Sequence, residues 1–235
     1  MSVKILSTRL DGLNLADVKA RIIEFLESGE IHQITPINPE FIMATRRDAE
    51  LLDIVNKSDL NVADGVGLKL AAMFKRVDIG QRITGVDLTW ELARIASERN
   101  FSIFLLGAAD GIAEKAAGKL TSAFPGLKIA GTYAGKPSEA GIVDRINDSR
   151  ADILLVAFGV PKQEKFIFAN RDRLKVRIAM SVGGTFDFIA GVVPRAPRWM
   201  RAAGLEWLFR LIKQPERFNR IITAIVRFPI SVLID

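Results

Sequence analysis

Asp64 closes the run "NVAD" and is followed at once by "GVGLKL". A carboxylate between a strand and a helix could act as a general base over an acceptor hydroxyl. It could equally cap the helix, whose dipole favours negative charge there. Gly65 beside it would let a ligand approach the backbone. Upstream, "ITPINPEF" places Thr35 and Asn38 after another strand, and Pro39 is suited to open a helix. Asn38 could contact a ligand or cap that helix. In "FGVPKQEKF", Gly159 ends an apolar run and Pro161 starts a helix, where free backbone N–H groups suit a phosphate or a nucleobase carbonyl. Gln163 could read a base edge through its amide, with Lys162 beside it. "LLGAADG" repeats the strand–glycine–helix logic at Gly107, without the GxGxxG spacing of a dinucleotide site. "VGGTFDFIAGVVPRAPRW" adds Gly184, Asp187, Arg195 and Arg198. Asp187 could contact a sugar or cap a turn, and the two arginines could bind phosphate or sit in water.

These residues need a scaffold that brings strand ends together. Short β-type runs are expected at 3–6, 31–35, 59–62, 101–106, 127–131, 152–157 and 176–182. Helical patterns lie between them at 15–28, 39–57, 65–75, 86–99, 110–123, 138–149 and 161–172. That alternation predicts an α/β fold, a Rossmann-like and mostly parallel sheet flanked by helices. Ligands bind such sheets beyond the carboxyl ends of the strands, where all the stretches above fall. Met43, Phe101 and Phe104 are expected in the core, and His32 in a structural role.

The pattern changes at Pro194 and Pro197. Residues 1–194 read as the catalytic α/β domain and 195–235 as a basic, amphipathic helical appendage. Two helices are expected there, over about 199–213 and 215–227. Arg217, Arg220 and Arg227 fall on one side of the second, and Phe218, Ile221, Ile222 and Ile225 on the other.

Composition narrows the chemistry. The chain has 235 residues, 49% of them hydrophobic, and a net charge of +6. From Arg195 onward seven Arg and one Lys face two Glu and one Asp, so +5 of that charge sits in the appendage. A basic tail on a nearly neutral body suggests an anionic partner: phosphate, nucleic acid or anionic lipid. There is no cysteine and one histidine, so disulfides, thiolate metal sites and His clusters are excluded, and a nucleophilic triad is hard to assemble. Neither an Asp-x-Asp pair nor a P-loop occurs. No secretory signal is expected from "MSVKILSTRLDGLNL", and the tail's apolar runs are too interrupted for a membrane span. A leaving diphosphate would have to be met by arginines, whose forked and permanent charge suits phosphate.

Taken in order, "TPINPEFI", "ADGVGL", "RITGVDL", "GVPKQE", "GGTFDFIAG" and "RAPRWMRAAGLEWLFRLIKQPERFNR" resemble the WecG/TagA/CpsF glycosyltransferases, over about residues 5–225 and most closely the TagA branch. The resemblance implies an inverting, metal-independent transferase without a cofactor, acting at the inner face of the cytoplasmic membrane. It implies transfer of N-acetylmannosamine from its UDP donor to N-acetylglucosamine on undecaprenyl diphosphate, with a β-1,4 linkage, for wall teichoic acid or a related surface glycan. UDP-linked N-acetylmannosaminuronate, glucose and glucuronate are alternative donors.

By the same resemblance the general base falls on Asp64 and the important tail arginines on Arg210, Arg217 and Arg220. Gln163 and its neighbours fall on the donor nucleotide side. The Thr-x-Asn element carries over to Asn38; Thr35 stands one residue further away than in the family pattern. The appendage is then expected to close over the diphosphate, and truncation at Arg195 to leave a folded but nearly inactive protein. Two other classes stay open on residues alone: a nucleic-acid binder, which lacks a recognised motif, and a membrane adaptor using the basic helix. The resemblance argues against nucleic acid as a partner. Association with a second copy of the chain is open.

Overall fold

The structure is a computed structural model and describes residues 2–197, 199–200 and 203–235. Arg198, one of the arginines singled out above, lies outside the described residues. Six parallel strands form the central sheet: β3 (His32–Ile37), β4 (Leu60–Ala63), β5 (Ser102–Gly107), β6 (Lys128–Tyr133), β7 (Ile153–Ala157) and β8 (Ile178–Ser181). Their order is β4-β3-β8-β7-β5-β6. The expected α/β class is therefore the observed one.

The inner strands are apolar on both faces, as strands covered by helices on either side must be. Ile103 and Leu105 of β5 join the core cluster on one face; Phe104 and Leu106 join that on the other. The first face is covered by α1 (Leu15–Ser28), α5 (Gly85–Arg99), α6 (Ile112–Ala123) and α9 (Thr185–Ile189). The opposite face is covered by α7 (Ile142–Asp148) and α8 (Lys162–Ala169). Met43 and Phe104 are buried and Phe101 packs against the core. His32 stacks on Phe25 at 4.0 Å, with Nε2 2.8 Å from Ser28 Oγ, a packing role.

Some elements depart from the expected bounds. The helix expected over 39–57 is two, α2 (Pro39–Thr45) and α3 (Ala49–Lys57). The break follows from Asp48, whose side chain accepts from Leu51 N at 3.0 Å and so starts a new helix. A two-stranded hairpin, β1 (Ser2–Ile5) and β2 (Thr8–Asp11), precedes the sheet; β2 was not anticipated. Its turn is made by Leu6 and Ser7, both at positive φ (48° and 66°), without the Asn or Gly that usually announces such a turn.

The tail also differs from the expected pair of helices. It contains α10 (Glu206–Lys213), a 3₁₀ turn at Pro215–Arg217, α11 (Phe218–Ile222), a π-helical turn at Thr223–Arg227 and α12 (Phe228–Leu233). The π turn lies just before Pro229, which can offer no N–H to the preceding turn. Ile221, Ile222 and Ile225 are more buried than Arg220 and Arg227, as the two-sided pattern expects, and the departures are Arg217 and Phe218. Arg217 is half-buried and Ile221 buried on the inward side, whereas Phe218 is 54% exposed. Phe228 and Val232 complete a core with Ile5, Phe41 and Leu68, joining the tail to the hairpin, α2 and α4 (Val66–Lys75). Among the described residues no helix is long and apolar enough to cross a membrane.

Candidate active site

The carboxyl ends of β3 and β4 and the tail enclose a cavity of about 430 Å³. Asp64 lies at its floor. Its backbone N–H continues the β3–β4 ladder to Ile37 O at 2.6 Å. Asp64 does not cap the helix it precedes: α4 is capped at Gly65 with no side-chain bond. Gly65 holds φ at 109°, which L residues rarely adopt, and Pro39 lies 3.2 Å from where a Cβ would stand. The Asp64 carboxylate instead accepts from Gly85 N, the first N–H of α5, at 3.3 Å. Burial pushes its pKa up to about 6. The Arg210 charge, the Gly85 N–H and Arg82 oppose that rise, and Glu206 adds to it. A half-buried carboxylate with a pKa near 6 has the basicity general base catalysis needs close to neutral pH.

Three arginines face the same space. Arg210, on α10, donates to Glu206 at 2.9 Å and stands 4.7 Å above the Phe188 ring. Arg220 Nε donates to Glu40 Oε1 at 2.5 Å. The pKa of Arg217 is lowered by burial and by the charges of Arg220 and Arg210, against which Glu40 and Asp187 act. Gathering guanidinium groups closely enough for this is unfavourable without an anion between them. Asn38, Glu40, Arg82 and Glu206 complete the polar lining of the cavity. Val66, Leu70, Trp207, Ile221, Ala224, Ile225 and Pro229 give it an apolar lining as well.

Asn38 unites the two readings of its position. Its Oδ1 accepts from Phe41 N at 2.8 Å, capping α2, and the residue also lines the cavity. Thr35 does not line it. Its side chain is fully buried and its hydroxyl meets Ser58 Oγ at 3.3 Å, because the alternation of β3 turns position 35 into the protein. Gly107 is buried where a Cβ would meet the Phe158 ring at 2.9 Å, so its place is set by strand packing.

Gln163 is 3% exposed and both polar atoms of its amide are used within the chain. Its expected contact with a base edge gives way to loop bracing. Lys162 is exposed, and Gly159 lies at the end of β7, outside the residues that line the cavity. Gly184 and Asp187 stand beside Arg217: a Cβ on Gly184 would lie 3.6 Å from Asp187 Oδ2 and 3.9 Å from Arg217 Nη2. Arg195 donates to Thr84 Oγ1 at 3.1 Å and pairs with Asp87 at 2.8 Å, which ties the start of the tail to the start of α5. Arg82, Glu40 and Glu206 were not singled out in the sequence. Arg82 stands two residues before Thr84 in "RITGVDL", and only the folded chain turns it toward Asp64. Among the described residues no three His, Cys, Asp or Glu side chains gather as a metal site.

The arrangement is a carboxylate with a raised pKa and a cationic cluster in one cavity that also has apolar lining residues. Residues 3–235 match the WecG/TagA/CpsF glycosyl transferase family. The chain belongs to that family. It is 33% identical over 217 residues to the N-acetylglucosaminyldiphosphoundecaprenol N-acetyl-beta-D-mannosaminyltransferase of Bacillus subtilis strain 168, covering 90% of this chain and 84% of the relative. A protein of the same name from Bacillus spizizenii is 29% identical over 210 residues, 89% of this chain and 81% of the relative. One from Staphylococcus aureus strain MRSA252 is 28% identical over 222 residues, 93% and 87% respectively. As a WecG/TagA/CpsF glycosyltransferase, the chain has an expected use for both kinds of cavity lining.

Proposed function

We propose that this glycosyltransferase moves N-acetylmannosamine from UDP-N-acetylmannosamine to N-acetylglucosamine on undecaprenyl diphosphate, with inversion and without a divalent metal. The observation that carries this reading is the meeting of Asp64 with Arg210, Arg217 and Arg220 in one cavity that also has apolar lining residues. Asp64 takes the proton from the acceptor's 4-hydroxyl as that oxygen bonds to the anomeric carbon. The bond from that carbon to the UDP oxygen breaks on the opposite face, which gives the β linkage. The charge that collects on the departing diphosphate is met by the arginines, where preorganised donors are most effective. Glu40 and Glu206 hold two of those guanidinium groups until the anion arrives. Asn38, whose Oδ1 holds the start of α2, is placed to align a sugar; Gly65, Gly184 and Asp187 shape the space around it.

The same reading divides the chain into residues 1–194, which carry the base, and an appendage, 195–235, which closes the cavity. It also places the protein at the inner face of the cytoplasmic membrane. The apolar lining residues suit the polyprenyl chain, and the surface beside them supports the placement. Leu70, Met73 and Phe74 of α4 are 61, 75 and 57% exposed, and Ile230 and Leu233 of α12 and Ile234 just after it are exposed as well. Lys75 pairs with Asp235 at 3.5 Å, so the two segments are neighbours.

The test is release of UDP from UDP-N-acetylmannosamine with a lipid-diphosphate N-acetylglucosamine acceptor, in the presence of EDTA. Sustained transfer is expected, and Asp64→Asn should lower it by about 10²–10⁴-fold while UDP still binds. Loss of activity on chelation, restored by magnesium, would sink the arginine mechanism. Transfer from another UDP-sugar alone would move the donor assignment within the family.

A further inference from the structure

Glu164 is an ionisable residue with no place in the chemistry above, yet it is fully buried next to Gln163. Gln163 Nε2 donates to Glu164 Oε1 at 2.7 Å. That contact decides which way round the Gln163 amide stands. Its Oε1 is turned to accept from two backbone donors, Gly159 N and Gly183 N, both at 3.0 Å. Gly159 ends the β7 loop and Gly183 the β8 loop, both at positive φ (77° and 53°). Gly183 leads directly to Gly184, which borders Arg217 and Asp187. Resting on the diphosphate reading above, we propose that Glu164 is a positioning residue: it sets the orientation of the Gln163 amide, which joins the β7 and β8 loops and so places the Gly184–Asp187 wall against which Arg217 receives the donor diphosphate.

The acid form of Glu164 fits this role. Burial pushes its pKa up to about 7, against the opposing effects of Gln163, its own backbone N–H and Ser181. Glu164 Oε2 and Ser181 Oγ are both buried without a settled hydrogen-bond partner. The Ser181 hydroxyl can donate to Oε2 of the carboxylate or accept from it when Oε2 carries a proton, so the pair is served in either form. The charged side chains of α8 and its neighbour α3 do not compensate a carboxylate there: Lys165 pairs with Asp48 and Glu50 instead. Glu164 holds its proton more tightly folded than unfolded, so its contribution to stability falls as pH rises from about 4.5 to about 7.

Glu164→Gln reproduces the shape and hydrogen-bonding capacity of the acid without ionising, and Glu164→Met keeps the volume without the acceptor. Hydrogen exchange at the Gly159 and Gly183 amides is measured beside UDP affinity by calorimetry. Glu164→Met is expected to speed exchange at both amides about tenfold or more and weaken UDP binding to a similar degree. Glu164→Gln should restore both and reduce the decline in stability between pH 4.5 and 7, leaving the part due to Asp64. Unchanged exchange in a folded Glu164→Met protein, failure of Gln to rescue, or faster exchange with unchanged UDP affinity would each overturn the proposal. If wild-type protein bound no UDP, the diphosphate reading would fail, and with it this extension; the exchange rates would still report whether Glu164 holds the two loops.

Discussion

At the scale of single residues, the decisive fact is how Asp64 is held. A helix N-cap would have been drawn into its own helix and kept acidic by the dipole. Asp64 is instead favoured in its charged form by Arg210, by the first N–H of a different helix and by Arg82, and burial still wins. A base needs its deprotonated form, which is depleted as pH falls below about 6. The kcat/KM profile should therefore drop about tenfold per pH unit on that acid limb. The limb should be absent from the residual activity of Asp64→Asn. A flat profile between pH 5 and 7 in the wild-type protein would remove Asp64 from the role. Thr35 shows the opposite outcome: a polar residue in a suggestive motif, turned inward by strand alternation and satisfied by Ser58.

At the scale of elements, α4 has two apolar faces. Leu68, Ala71 and Ala72 enter the core, and Leu70, Met73 and Phe74 face outward. A surface helix usually carries polar residues there. Lys69, Lys75 and Arg76 flank the outer face, and Arg227 lies on the nearby tail. Basic residues around exposed apolar ones suit an anionic bilayer. Replacing Met73 and Phe74, which do not line the cavity, together by Ser should weaken co-sedimentation with phosphatidylglycerol vesicles about tenfold or more. UDP affinity should be unchanged. Undiminished vesicle binding would show that the contact lies elsewhere, for example on Ile212 and Phe218. The helix boundaries explain why such faces are hard to read in advance. The periodic pattern over 39–57 is continuous, but Asp48 competes for the backbone and divides it. The β2 strand is only four residues long, with no turn residue to announce it.

At the scale of the whole molecule, the tail lines the cavity and also completes a core. Phe228 and Val232 are 0 and 2% exposed among residues of the hairpin, α2 and α4. Loss of a buried phenylalanine alone typically costs about 3–5 kcal/mol. Truncation at Arg195 should therefore abolish transfer and also lower Tm measurably, while the sheet still gives an α/β circular dichroism spectrum. A truncated protein with undiminished transfer would discard the closing role of the tail.

The order of strands and helices, both apolar faces of the sheet and the basic character of the tail are present in the sequence because each depends on local periodicity and charge count. Asp64 and Asn38 could be singled out for the same reason, since both stand at strand ends. The partners of these residues could not be found that way. Arg82, Glu40 and Glu206 reach the cavity only because β3, β4 and the tail converge, and Arg217 stands in a 3₁₀ turn that the helical periodicity does not show. Burial sets the basicity of Asp64 and the protonation of Glu164, and burial is a property of the assembled fold rather than of any stretch of chain.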